Sequence, residues 1–266
     1  MMSIAFLLRL YAGWTCISLM LLMLLSSTLN AETLPSPKEL QQQLGAPTVI
    51  QVIEPHMSRP GKPVMINYVG YPIQQVMRFL HLNQAAMYSA SNWIEFACTD
   101  GYVSRIPADK FKQHQAYLVV ARQDQQAFQV DNLDQQQQRI SLGPYYLVWD
   151  NTHSLALQKL GAYHWPYQVQ SIASGAYVGN LKQAKLANDY CLTCHQLNGQ
   201  GGKVLPINLA QIGQLYSQQA FIELVLNPNK SKPSSTMPPL NPLLADAQRE
   251  KIAKSLYIYF NQIPAK

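Results

Sequence analysis

The sequence predicts a multidomain protein in which a mixed α+β domain is followed by an all-α domain. Three observations carry that expectation. Short apolar runs separated by turn residues fill positions 48–172, helical periodicity takes over from Asn180, and a run of mostly small residues, Ser171-Ile172-Ala173-Ser174-Gly175, lies between the two regions. With 266 residues and 48% apolar content, the chain suits two modest packed domains rather than a disordered polymer.

The N-terminus reads as an export signal over residues 1–31. Arg9 supplies the positive start, Leu10 to Leu25 is almost wholly apolar, and Ser26-Ser27-Thr28-Leu29-Asn30-Ala31 ends on a small residue suited to cleavage. Leu10 to Leu29 approaches spanning length, so an uncleaved anchor in the inner membrane is the alternative to a freely periplasmic chain. Either route takes the remainder out of the cytoplasm. The formal net charge is +6, or +5 once the segment carrying Arg9 is removed. That balance favours acidic protein partners. No dense Lys/Arg block interleaved with aromatics exists, which argues against nucleic acid.

Residues 32–47, rich in Pro, Gln and small side chains, read as a linker. Across 48–172 the expected strands are Val49 to Ile53, Val64 to Val69, Trp93 to Cys98, Tyr117 to Ala121 and Tyr145 to Trp149, with helices over Ile73 to Leu82 and Ala108 to His114. The amide-rich patches 41–43, 123–126 and 135–138 read as polar loops. A second linker covers 173–179. In the region 180–264, Asn180 caps a helix over Leu181 to Tyr190, a second helix covers Gln218 to Leu226 and stops at Asn227-Pro228, and a third runs from about Leu243 to Phe260. The five prolines between Asn227 and Pro242 make an extended loop. Three helices and long loops supply little core, which a large apolar group at the centre would complete.

Cysteine usage points to that group. Without the signal, Cys98, Cys191 and Cys194 remain, an odd number for a disulfide framework. Cys191-Leu192-Thr193-Cys194-His195 is the pattern of c-type haem attachment. Two thiols one helical turn apart reach the two vinyl groups on one porphyrin edge, and the next residue, histidine, projects over the ring as an iron ligand. A redox CxxC pair would not need His195, and zinc would need two further ligands that the neighbourhood does not offer. Met237 is the expected second axial ligand. The other eight methionines lie at or before Met87, and Met237 sits in the proline-stiffened loop. A histidine such as His164, or an open sixth position, are the alternatives.

These residues resemble the class I c-type cytochromes over 180–264. The likeness rests on Tyr190, the attachment motif, Gln196-Leu197-Asn198-Gly199-Gln200-Gly201-Gly202, the Leu226-Asn227-Pro228 to Met237-Pro238-Pro239 segment and the closing helix. The resemblance implies one covalent haem c on Cys191 and Cys194, His195 and Met237 as axial ligands, and Pro206 as the residue whose carbonyl holds the second ring nitrogen of His195. Lys203, Lys230 and Lys232 would lie near the haem edge and could meet an acidic partner.

The earlier region resembles the oxidoreductase molybdopterin-binding domain of the sulfite oxidase type, through Val64 to Leu82, Ile94 to Tyr102 and Leu142 to Val148. That family places a molybdenum-ligating cysteine before the segment matching Tyr68-Val69-Gly70-Tyr71-Pro72, whereas residues 32–97 contain no cysteine here. The arginines form no cluster for a pterin phosphate, so molybdopterin is not expected. Cys98 reads as a small buried hydrophobe, Asp100 as a turn residue, and Tyr102 and Trp165-Pro166-Tyr167 as packing. The expected function is therefore periplasmic electron transfer between a dehydrogenase donor and an oxidase-type acceptor. The competing readings are a haem-linked molybdenum enzyme, against which the missing cysteine counts, and a haem sensor, against which Met237 counts.

Overall fold

Apolar alternation builds the N-terminal half, and the strands are antiparallel throughout it. The computed structural model describes residues 31–266 apart from Pro60, 83–87, Asp134, Pro206, Ser234, Thr236 and Leu243. Its strands there are β1 (Glu32–Thr33), β2 (Thr48–Ile53), β3 (Met65–Pro72), β4 (Asn92–Cys98), β5 (Val103–Pro107), β6 (Ala116–Arg122), β7 (Gln129–Asn132), β8 (Gln137–Ser141), β9 (Tyr146–Trp149) and β10 (Val169–Ala176). They make two four-stranded sheets, ordered β2-β3-β6-β9 and β1-β10-β4-β5, and a β7-β8 hairpin. The glutamine tract 135–138, expected as loop, thus contributes Gln137 and Gln138 to a strand.

Burial follows pairing. All four residues of β9, Tyr146-Leu147-Val148-Trp149, are buried, as befits a strand covered on both faces. In β4 the alternation sends Ile94, Phe96 and Cys98 into the core between the sheets. Trp93 points the other way. Its ring lies under the Arg105 guanidinium at 4.3 Å, and Trp93, Arg105, Leu192 and Tyr259 line one small cavity. The second sheet therefore serves the first core with one face and the C-terminal helices with the other.

Helices α1 (Pro37–Leu44), α2 (Ile73–Phe79), α3 (Lys110–Gln113) and α4 (Leu155–Lys159) cover the sheets. Helix α1 falls in the expected linker 32–47 and takes in Gln41 to Gln43, expected as loop. Its start is set by Ser36 and Glu39, which cap each other reciprocally, with Pro37 in the first turn and Leu40 fully buried. The expected linker 173–179 likewise begins inside β10, which pairs with both β1 and β4.

The C-terminal region holds α5 (Leu181–Tyr190), the short strands β11 (Gln196–Leu197) and β12 (Gln200–Gly201), α6 (Ile212–Leu215), α7 (Gln218–Leu226), α8 (Pro228–Ser231) and α9 (Asp246–Gln262). Side chains of Asn180 and Ser217 cap α5 and α7, and α9 packs against both.

A separate all-α cytochrome domain is not what this chain builds. The polypeptide is mixed α and β, and Ala31–Lys266 form one compact unit. Two physical causes account for the difference. Asn198-Gly199, with φ of 51° and 80°, makes a two-residue turn that folds β11 onto β12. Backbone hydrogen bonds then join the two regions: Val103 N–H donates to the Thr193 carbonyl at 3.1 Å, and Lys203 N–H to the Gly101 carbonyl at 3.0 Å. No helix among the described residues is long and apolar enough to cross a membrane. The expected export signal lies outside the described residues, save Ala31.

Candidate haem-attachment site

Helix α5 delivers the motif. Cys191 is its C-terminal cap, the Cys191 N–H donating to the Ala187 carbonyl, and the His195 N–H returns to the Cys191 carbonyl at 2.9 Å. One further turn of backbone thus carries both cysteines and the histidine. Neither Cys191 nor Cys194 is in a disulfide. Cys191 is buried and Cys194 is half-buried.

The chemistry of these thiols separates two readings. Burial pushes the Cys191 thiol up to about 12, and the neighbouring Cys194 and Asp189 add to the rise. A disulfide-exchange pair needs a thiolate stabilised near neutral pH, which is the opposite arrangement. Burial holds His195 below the ordinary imidazole range, so the ring is neutral, the form that ligates metal.

Gly201 and Gly202 of the turn press against the motif's backbone. A methyl group on Gly202 would overlap the Thr193 carbonyl and approach Cys194 Cα to 2.8 Å. Gly201 sits at φ 113° against the His195 carbonyl. Gly202→Ala should therefore cost about 2–3 kcal/mol, seen as a lower urea midpoint. Gly199→Ala, with open space but φ 80°, should cost about 1 kcal/mol. Equal losses would show that the turn does not brace the motif.

Met237 is half-buried and packs against the buried cluster that contains Cys191, Leu192, Leu240 and Phe260. Its loop is tied down by the Leu240 N–H on the Val225 carbonyl at 2.8 Å, and by Arg249, which bonds the Leu240 and Leu226 carbonyls at 2.8 and 2.9 Å. Pro206, expected to hold the His195 ring, lies outside the described residues. Lys203, Lys230 and Lys232 are exposed. His164, the alternative ligand, instead sits beside Lys110, its Nδ1 3.3 Å from Nζ. Burial, then the Lys110 charge, drives it well below the usual imidazole range.

The residues present fit a c-type haem. The two thiols are unpaired, the ring is neutral, and the buried Nδ1 of His195 has no hydrogen-bond partner among the described residues. Among those residues no group of three or more His, Cys, Asp or Glu could hold a metal ion by itself. A porphyrin asks the chain for only two axial donors, since its own nitrogens fill the plane.

Sequence reasoning missed a second constellation. Glu54, Tyr68, Tyr146 and His56 form a buried network around the Glu54 carboxylate. His56 reaches a cavity of about 530 Å³ that Cys98, Asp100, Tyr102, Trp165 and Tyr167 also line. The signal available was Glu54-Pro55-His56, two titratable residues at a turn after a strand. Cys98 is buried, and burial pushes its thiol up, so it is a protonated wall residue. Asp100 accepts from the Tyr102 N–H at 2.9 Å, the turn role the sequence suggested.

No protein-family model matches the chain, and no curated protein is significantly similar to it in sequence.

Proposed function

We propose that this chain is an exported, single-haem c-type electron carrier that works in the periplasm between redox partner proteins. The observation that carries the reading is the attachment motif at the end of α5, with unpaired Cys191 and Cys194 and a neutral, buried His195. Cys191 and Cys194 would hold the haem by thioether bonds, and His195 and Met237 would be its axial ligands. The group supplies one-electron exchange at iron. The protein's own part is to carry the two thiols and His195 on one turn of backbone and to hold Met237 in a braced loop. A His/Met pair leaves no open position for a substrate, which suits a carrier. The exposed Lys203, Lys230 and Lys232 suit docking to an acidic partner, with rates that fall as salt rises.

Met237→Ala tests the reading directly. The variant should lose the sulfur-to-iron charge-transfer band of the oxidised protein, and its potential should drop by on the order of 0.1 V. An unchanged spectrum and potential would remove Met237 from the ligand set. Elemental analysis should give iron near one per chain without molybdenum; molybdenum near one would make the protein an enzyme instead.

A further inference from the structure

The cavity beside the haem motif carries its own chemistry. Glu54 is fully buried and its carboxylate accepts four bonds: from the His56 N–H at 3.1 Å, the Tyr68 hydroxyl at 2.7 Å, the Tyr146 hydroxyl at 3.1 Å and His56 Nδ1 at 2.8 Å. A carboxylate that accepts from Nδ1 fixes the proton there. Nε2 is then the ring's other polar atom, and no hydrogen bond to it is seen among the described residues. His56 lines the cavity. The chain thus holds an oriented imidazole at the wall of a space of about 530 Å³, within the size range of small-molecule sites.

The remaining wall narrows the ligand. Tyr102, Trp165 and Tyr167 offer aromatic surface and Gln137 an amide, while the Asn132 and Gln135 side chains bond each other at 3.1 Å. No lysine or arginine is among its described lining residues, whereas the acid Asp100 is. An anion such as sulfite or a phosphate ester would face that carboxylate without a lysine or arginine to offset it. A flat neutral molecule with a hydroxyl meets aromatic faces and, at His56 Nε2, a ring nitrogen that a hydroxyl can pair with as donor or as acceptor.

We propose that this cavity binds a small neutral phenol of the hydroquinone type, whose hydroxyl hydrogen-bonds to His56 Nε2. The site does not depend on the haem reading, so each can fail alone. The test is calorimetric titration of the purified full chain with hydroquinone, with glucose and sulfite as comparison ligands. One saturable site is expected for hydroquinone. His56→Asn puts an amide donor where Nδ1 stood and removes Nε2, so affinity should fall about tenfold or more. Gln137→Trp, an exposed strand position at the cavity wall, should abolish binding without touching the buried network. This second variant keeps the test informative if His56→Asn fails to fold. No saturable binding to folded wild type, unchanged affinity in Gln137→Trp, or tighter binding of glucose or sulfite would overturn the proposal.

Discussion

Cells expressing the Cys191→Ala, Cys194→Ala double variant should yield a chain with no covalently bound haem, whereas wild type should retain haem through denaturation. The readout is haem-dependent peroxidase staining after denaturing electrophoresis. The expected change is all or none, because on the proposed reading the two thioethers would be the covalent links, and no other cysteine lies near enough in sequence to replace them. Cys98 is buried on β4, and burial keeps its thiol protonated. Each single variant retains one possible link and should give reduced but measurable staining. Stain persisting in the double variant, or absent from wild type produced with haem-attachment machinery, would sink the assignment.

The same variants should expose how thin the C-terminal core is. That cluster sets Ala184, Ala187, Ala210 and Ala253 with Cys191 among larger side chains such as Phe221, Leu256 and Phe260, and the alanines bury little area each. Haem would bring far more apolar surface than any of them. The double variant should therefore lose thermal stability in the C-terminal helices first, visible as earlier hydrogen exchange in α5 and α9 than in β9. The N-terminal sheets pack around large buried side chains of their own, among them Trp149, Tyr146 and Phe96.

What the sequence made legible follows from how local each signal is. Helix α5 was readable because Asn180 announces its start, and α7 because Asn227-Pro228 ends it. The haem motif is five consecutive residues. Strand β10 was not readable, because Ser171 to Gly175 are small for a long-range reason. The Trp93 ring lies so close to Gly175 that a methyl there would overlap it. A connector and a strand crowded by a partner's indole have the same composition. Helix α1 carried its signal in Ser36-Pro37-Lys38-Glu39, a capping box overlooked amid prolines and glutamines. The Asn198-Gly199 hairpin was equally explicit in residue type. The network at Glu54 was hidden for a different reason. Its members come from β2's end, β3 and β9, so only the pairing of strands brings Tyr68 and Tyr146 to one carboxylate.

That network predicts the largest loss of stability from a single side chain. Glu54→Ala would leave the Tyr68 and Tyr146 hydroxyls and His56 Nδ1 facing a void, all of them buried. Stripping the acceptor from several buried donors should cost about 3–5 kcal/mol, on the order of 10 °C in melting temperature for a unit of this size. Tyr146→Phe separates the bond from the charge. At pH 7 it removes one hydroxyl bond to a charged acceptor and should cost about 1.5 kcal/mol. Burial, then the Glu54 charge, raises the Tyr146 phenol well above its ordinary value, so the folded chain keeps that proton after the unfolded chain has released it. The stability tied to it is complete below about pH 10 and is lost as pH rises further, at about 1.4 kcal/mol per pH unit. Tyr146→Phe lacks this loss. Its stability curve should thus start below wild type at neutral pH and meet it near pH 11, by urea titration at each pH. Parallel curves across that range would mean that Tyr146 is not held protonated by its burial, and that the Glu54 network is wetter than its packing implies.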